Sequence, residues 1–235
     1  AQQAQKNIKK FVKDPQEQIQ ILKEVFNQVH RFPNDMVPIE LSPGVYHYLS
    51  QRLGIKDLYA EEKKLTNQKA LELKPFLIKT IQKASNPLYT ALKLSIIGNI
   101  LDYTMEGVSE LDLKKTILDF LEIPIEIDHI QNFENELQNS KSLLLLTDNS
   151  GEAVFDLVLL DYLKHAFPGL KITIGGKKSP ILNDMTSKEL IELGFSDYGQ
   201  VVSTGSDLPG NMEKYFSDEF CSIYDSSPLI LSKGQ

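Results

Sequence analysis

Apolar positions follow two different periods along this chain. Through the first half they recur at helical spacing. Ile19, Ile21, Leu22, Val25, Phe26 and Val29 follow an Asp14-Pro15 helix start, and Val45 to Leu53 forms a helix that Gly54 closes. Ala60 to about Lys83 predicts a long charged helix interrupted at Pro75, and Asn86-Pro87 opens another through Ala91, Leu94, Ile97 and Leu101. The proline-rich stretch Phe32 to Pro43 reads as a loop between them. From about Leu118 the texture changes to short apolar runs separated by turns. Strands are predicted near 124–127, 142–147, 170–175, 199–203 and 228–232, with helices over 109–121, 131–139, 151–166, 187–193 and 210–220. Strand and helix alternate, so the pattern predicts βαβ units on a largely parallel sheet. No internal repeat or low-complexity tract is visible.

The expected architecture is thus α/β: a helical domain over residues 1–120, then a Rossmann-like three-layer domain over 121–235. In such sheets ligands bind beyond the carboxyl ends of the strands. The stretch Ser142 to Asp156 puts an unbroken apolar run, Leu143 to Leu146, directly before Thr147, Asp148, Asn149, Ser150 and Gly151. A carboxylate beside a carboxamide at a strand exit offers hard oxygen ligands for a divalent cation such as Mg²⁺ or Mn²⁺. The competing explanation is a helix cap, with Glu152 completing a capping box with Asn149. A second strand exit, Lys177 to Thr186, places Asn183, Asp184 and Thr186 before a helix. Asp184 would complete the ligand set if the two loops meet; otherwise it too is a cap. A third loop, Ser203-Thr204-Gly205-Ser206 and on to Gly210, has the small residues that let backbone amides approach an anion. Lys233, on a glycine turn beyond the last strand, is well placed to meet phosphate oxygens, although alone it would be an ordinary surface lysine.

Composition narrows the chemistry. A net charge of −7 argues against a nucleic-acid partner and an anionic membrane, but not against a small phosphorylated metabolite. No run approaches the roughly 20 apolar residues of a membrane span, and the amino end, AQQAQKNIKKFVKD, has no apolar core of a secretory leader. A single cysteine, Cys221, excludes an internal disulfide or a cysteine-cluster zinc site and fits a reducing, cytoplasmic setting. His30, His47, His129 and His165 are scattered without metal-ligand spacing. The chain starts without Met and stops on a glycine turn just past an apolar strand, so further residues are expected beyond Gln235. The pattern leaves the oligomeric state open.

Taken in order, Asp148-Asn149-Ser150-Gly151-Glu152 with Asp156, Asn183-Asp184-Met185-Thr186, Gly205-Ser206-Asp207-Leu208-Pro209-Gly210 and Lys233-Gly234-Gln235 resemble the ordered motifs of the metal-dependent damage-control phosphatases, once catalogued only as a domain of unknown function. The helical half carries counterparts in Asp57 to Asn67, Ala91-Leu92-Lys93 and Gly98 to Asp102. The resemblance is nearest to the stand-alone microbial branch. Its members usually carry a Cys-x-x-Cys pair near the amino end; that pair is absent here, and by alignment of Gln3 and Ala4 it would fall just before Ala1. It implies one divalent metal (Mn, Ni, Co or Mg) held by Asp148, Asn149 and Asp184, phosphate binding by Lys233, and Asn99 and Asp102 lining the same cleft. Glu152 joins the candidate phosphate-binding residues, together with Ser203, Thr204, Gly205 and Ser206 from the third loop.

The expected activity is hydrolysis of phosphomonoesters of small metabolites: sugar phosphates, phosphopantetheine-like compounds or damaged nucleotides. Water is the expected nucleophile. A covalent route through Asp148 is disfavoured because Ser150 stands where the haloacid-dehalogenase type carries a second Asp. The alternatives are an S-adenosylmethionine-dependent protein carboxyl methyltransferase and a non-catalytic small-molecule-binding protein on the same fold. Against the first, Thr147 to Gly151 offers one glycine rather than a glycine-rich turn.

Overall fold

A computed structural model describes residues 2–33, 35–102 and 110–234, leaving side chains near 100–111 undescribed. Among the described residues seven helices precede the first strand: α1 (Gln2–Phe11), α2 (Pro15–Val29), α3 (Ser42–Leu53), α4 (Ala60–Lys83), α5 (Pro87–Asp102), α6 (Glu110–Glu122) and α7 (Ile130–Asn139). There follow β1 (Ser142–Leu146), α8 (Glu152–Ala166), β2 (Lys171–Gly176), α9 (Ser187–Glu192), β3 (Gln200–Ser203), α10 (Asp218–Ser226) and β4 (Ile230–Ser232). The four strands form one parallel sheet in the order β3-β2-β1-β4. The chain therefore steps outward from β1 through β2 to β3, then returns to the other side of β1. That reversal makes the β1–β4 junction a topological switch point, where a crevice opens at the strand ends.

Alternation along β1 explains the three layers. Leu143 and Leu145 face a core built with α4, α5, α6 and α8, while Leu144 and Leu146 pack against Phe220 of α10 on the other face. Helix α8 is buried along most of its length, from Ala153 to Leu160 and again at Leu163, as expected of a helix lying between the sheet and another helical layer. The expected boundary near residue 120 falls inside this one core, which joins Leu73, Leu77 and Ile97 to Val158 and Ile174. A second, smaller core unites α1, α2 and α3 and includes Ile181 from the sheet half.

Several local expectations hold at the residue level. Asp14 caps α2, its carboxylate accepting from the amides of Gln16 and Glu17, and Gly54 ends α3 at φ 69°. Three differ. Pro75 does not interrupt α4: it lies on an exposed face, and the helix runs on through it from Ala60 to Lys83. No strand forms at 124–127, where Pro124 lacks a donor and Ile127 is 78% exposed, leaving no partner edge to join. The helix expected over 210–220 is a loop, a short 3-10 turn at Glu213–Tyr215, and then α10, which starts where Ser217 Oγ accepts from the Phe220 amide. The loop expected before α3 likewise holds a 3-10 turn, Pro38–Leu41. Among the described residues no helix is long and apolar enough to cross a membrane.

Helices α5 and α8 cross at Gly98. A Cβ placed there would lie 3.0 Å from Phe155 Cβ and 3.2 Å from the Glu152 Cα, so a larger residue must push the helices apart. Gly98→Val is expected to cost about 1–3 kcal/mol of stability through overpacking, read as a lower urea midpoint. An unchanged midpoint would contradict the close crossing.

Candidate active site at the strand ends

The loops after β1 and β2 are stitched together. The Met185 amide donates to the Asp148 carbonyl at 2.8 Å, the Ser150 amide donates to the Asn183 carbonyl at 2.8 Å, and Asn149 and Asp184 form an isolated antiparallel bridge. Asp148, Asn149 and Asp184 consequently line one cleft of about 760 Å³ with Ser95, Asn99, Glu152 and Lys233. The capping alternatives can be decided. Helix α8 is capped by Gly151, at φ 77°, with no side-chain cap, and its amide donates to Asn67 Oδ1 at 2.6 Å. Helix α9 is capped by Thr186 in a capping box with Glu189, which leaves the Asp184 carboxylate out of the cap.

Helix α4 holds both loops from behind. Buried Lys63 pairs with Asp57 Oδ2 at 2.9 Å and Glu189 Oε1 at 2.8 Å, and donates to the Asp184 carbonyl at 3.2 Å. One turn on, Thr66 Oγ1 donates to Ser150 Oγ at 3.0 Å. The Asp57 to Asn67 segment thus fixes the backbone of both loops without entering the cleft.

Two lysines answer the carboxylates. Lys233 Nζ lies 2.6 Å from Glu152 Oε1 and 3.4 Å from Asp156 Oδ1, and donates to the Ser95 carbonyl at 2.8 Å and Ser95 Oγ at 3.0 Å. Its donors are committed and it is only 8% exposed, so it is a buried anchored cation rather than a surface lysine. Lys177, missed in the sequence because it reads as an ordinary charge after a strand, is buried at 2% exposure; it donates to Gly210 and Asn211 and sits 3.6 Å from Asp184 Oδ2. Asp156, the last carboxylate of the motif after β1, is fully buried, with Ser95 Oγ donating to it at 2.6 Å. The signal was available: a carboxylate on the apolar face of a helix needs a partner.

Asn99 donates from Nδ2 to Glu152 Oε2 at 3.1 Å, placing helix α5 at the cleft. Asp102 ends the same helix; its side chain lies outside the described residues. The expected anion loop is a correction. Ser203, Thr204, Gly205 and Ser206 do not line the cleft, and the amides of the last three are already used: Thr204 donates to the Gly176 carbonyl, Gly205 to Ser203 Oγ and Ser206 to Thr204 Oγ1. The loop is a folded turn, and only Pro209 and Gly210 at its far end reach the cleft.

The electrostatics follow from this crowding. The Asp148 carboxyl is pushed up to about 7, first by burial and then by the negative charges of Asp184 and Glu152, against the opposing pull of Lys177 and Lys233. Burial raises Asp184 and Asp156 to about 6 each, with the nearby lysines resisting. Lys177 is lowered by burial, whereas burial of Lys233 is outweighed by Asp156 and Glu152, which raise it.

Asp148, Glu152, Asp156 and Asp184 face two lysines, Lys177 and Lys233, a formal excess of two negative charges. Asp184 Oδ2 is buried with no hydrogen-bond donor. Among the described residues no three His, Cys, Asp or Glu side chains group to hold a metal. The donor set of two carboxylates and the Asn149 carboxamide nonetheless fits a hard divalent cation that takes further oxygens from substrate and water.

A sequence profile of the damage-control phosphatase ARMT1-like domain matches residues 1–235. A damage-control phosphatase of Pyrococcus horikoshii is 30% identical over 204 residues, covering 87% of this chain and 69% of that protein. One of Archaeoglobus fulgidus is 27% identical over 83% of this chain and 67% of its own length. The crystal structure of a DUF89 family protein from Pyrococcus horikoshii superposes with a TM-score of 0.89 at 27% identity, covering all of this chain and 81% of that one.

Because the folded Asp148 and Asp184 carboxyls sit above their ordinary range, the native state holds protons that the unfolded chain has released. Their contribution to stability is present below about pH 4 and lost as pH rises through about 6 and 7. In chelator-treated protein, Asp148→Asn should therefore lose less thermal midpoint than the parent between pH 5 and pH 8. Parallel curves would show that this carboxylate bears no such strain.

Proposed function

The chain belongs to the damage-control phosphatase ARMT1-like family, and from that premise we propose that it is a metal-dependent phosphatase hydrolysing phosphomonoesters of small metabolites. The observation that carries the reading is the uncompensated negative charge at the strand ends, set against a cleft large enough for a metabolite. Stability alone does not account for it, since buried ionic groups are no more stabilising than apolar ones of similar volume. Clusters of this kind mark functional sites.

Asp148, Asn149 and Asp184 would hold the divalent cation, whose chemistry is to neutralise charge on the phosphoryl oxygens as the ester bond breaks. Lys233 and Lys177 oppose the upward push of burial on Asp156 and Asp184 and hold positive potential near the phosphoryl group. Asn99 and Asn149 both donate to Glu152 Oε2, at 3.1 and 3.4 Å, fixing that carboxylate at the cleft wall. Water attacks phosphorus in line with the departing alcohol oxygen, and a carboxylate of the cleft takes its proton. Gly234 gives the substrate side of Asp148 its shape: a Cβ there would lie 2.4 Å from Asp148 Oδ2.

The test is release of p-nitrophenol from its phosphate with Mn²⁺, Co²⁺, Ni²⁺ or Mg²⁺, compared with chelated protein. Asp148→Asn and Asp184→Asn should each lower metal-stimulated turnover by more than about a hundredfold, the loss of several kcal/mol of charge stabilisation, while thermal melts show folded protein. Turnover surviving both substitutions rejects the site.

A further inference from the structure

The cleft is chemically divided. Its carboxylates and lysine lie at the strand ends, whereas helices α5 and α7 contribute Leu92, Ile96, Ile130 and Phe133 to its lining. Leu92, Ser95, Ile96 and Asn99 share one face of α5, and the polar members of that stripe are already engaged: Ser95 Oγ donates to Asp156, and the Asn99 amide donates to Glu152. Ile96 is 49% exposed beside buried Leu92, an isoleucine left open to the cleft. On α7, Ile130 and Phe133 are only partly buried, and lie one turn apart. A volume of about 760 Å³ far exceeds a phosphoryl group and leaves room for the alcohol part of a substrate along this wall, where among the described residues His129 at the start of α7 is the one further polar side chain beside the engaged Ser95 and Asn99.

We propose that the substrates are phosphomonoesters with an apolar body, alkyl or aryl, and that Ile96 and Phe133 are specificity-determining residues which discriminate against sugar phosphates; this rests on the phosphatase reading above. An apolar body covers the wall and gains roughly threefold to fourfold in affinity per buried methylene. A polyol sheds water from each hydroxyl facing the wall and finds no free partner on Leu92, Ile96, Ile130 or Phe133, a penalty of about tenfold for each such hydroxyl. Selectivity of this kind is a difference between two bodies carrying the same phosphoryl group, so the metal and the lysines contribute equally to both.

Two measurements on the Mn²⁺-loaded protein separate the claims. Calorimetry with ethyl-, butyl- and hexylphosphonate, which cannot be hydrolysed, should show affinity climbing with chain length, and Ile96→Asn should flatten that climb. Hexyl phosphate should exceed glucose 6-phosphate in kcat/KM by more than about tenfold. Affinity independent of chain length, or equal cleavage of both esters, overturns the apolar-body proposal while leaving hydrolysis intact. Chain-length-dependent binding with no ester cleaved supports the apolar wall and overturns the hydrolysis reading instead.

Discussion

The constraint on which the rest depends is the burial of like charge at one end of a parallel sheet. Asp156 is completely buried and Glu152 and Asp184 nearly so, and the lysines beside them are themselves desolvated. Removing a charge from water is expensive, and a pair repays that cost only with good geometry and additional hydrogen bonds. The Lys233 group meets that condition: two carboxylates, a carbonyl and a hydroxyl surround one ammonium. Breaking one side of such a group costs about 3–5 kcal/mol, because the partner is left charged and buried. Its members therefore act as one unit, and that unit ties the end of β4 to α8 and to α5.

The Asp148–Asp184 side is less fully satisfied. Lys177 offers Asp184 an ion pair at 3.6 Å, too long for a hydrogen bond, and spends its donors on Gly210 and Asn211 instead. Backbone bonds hold the two loops together where side-chain charges would drive them apart. Lys63, Thr66 and Asn67 supply the rest from α4, each contacting backbone or a hydroxyl at the back of the loops. The division of labour is physical. Lys63, Thr66 and Asn67 bond the backs of the loops, whereas Asp156 Oδ2 and Asp184 Oδ2 stay buried without a hydrogen-bond donor.

What the sequence made legible followed from periodicity and short-range chemistry. The apolar run Leu143–Leu146 and the polar strand exits predicted the parallel sheet and left the meeting of Asp148 with Asp184 as a condition, which the fold meets because both loops leave neighbouring strands at the same end. Position 124–127 failed because alternation alone does not supply a neighbouring strand. The Ser203–Ser206 loop failed for a related reason: small residues permit exposed amides, but the same serine and threonine hydroxyls that read as anion ligands can turn back and accept those amides. Lys177 and Lys63 were invisible because a buried lysine has no local signature. Their hydrogen-bond partners stand far off in sequence, and only the tertiary fold brings Glu189 to Lys63 and Gly210 and Asn211 to Lys177.

The helical half is then part of the site rather than an attachment to it. Ser95 and Asn99 reach Asp156 and Glu152 only because Gly98 lets α5 approach α8, and Leu92 and Ile96 come to the cleft on that same helix. One close crossing therefore sets both the partners of two carboxylates and the apolar wall along which a substrate's body would lie. A single core running from Leu73 on α4 to Ile174 on β2 makes that crossing rigid. The charged floor comes from the sheet and the apolar wall from the helices, so displacing either half would alter charge balance and substrate fit together.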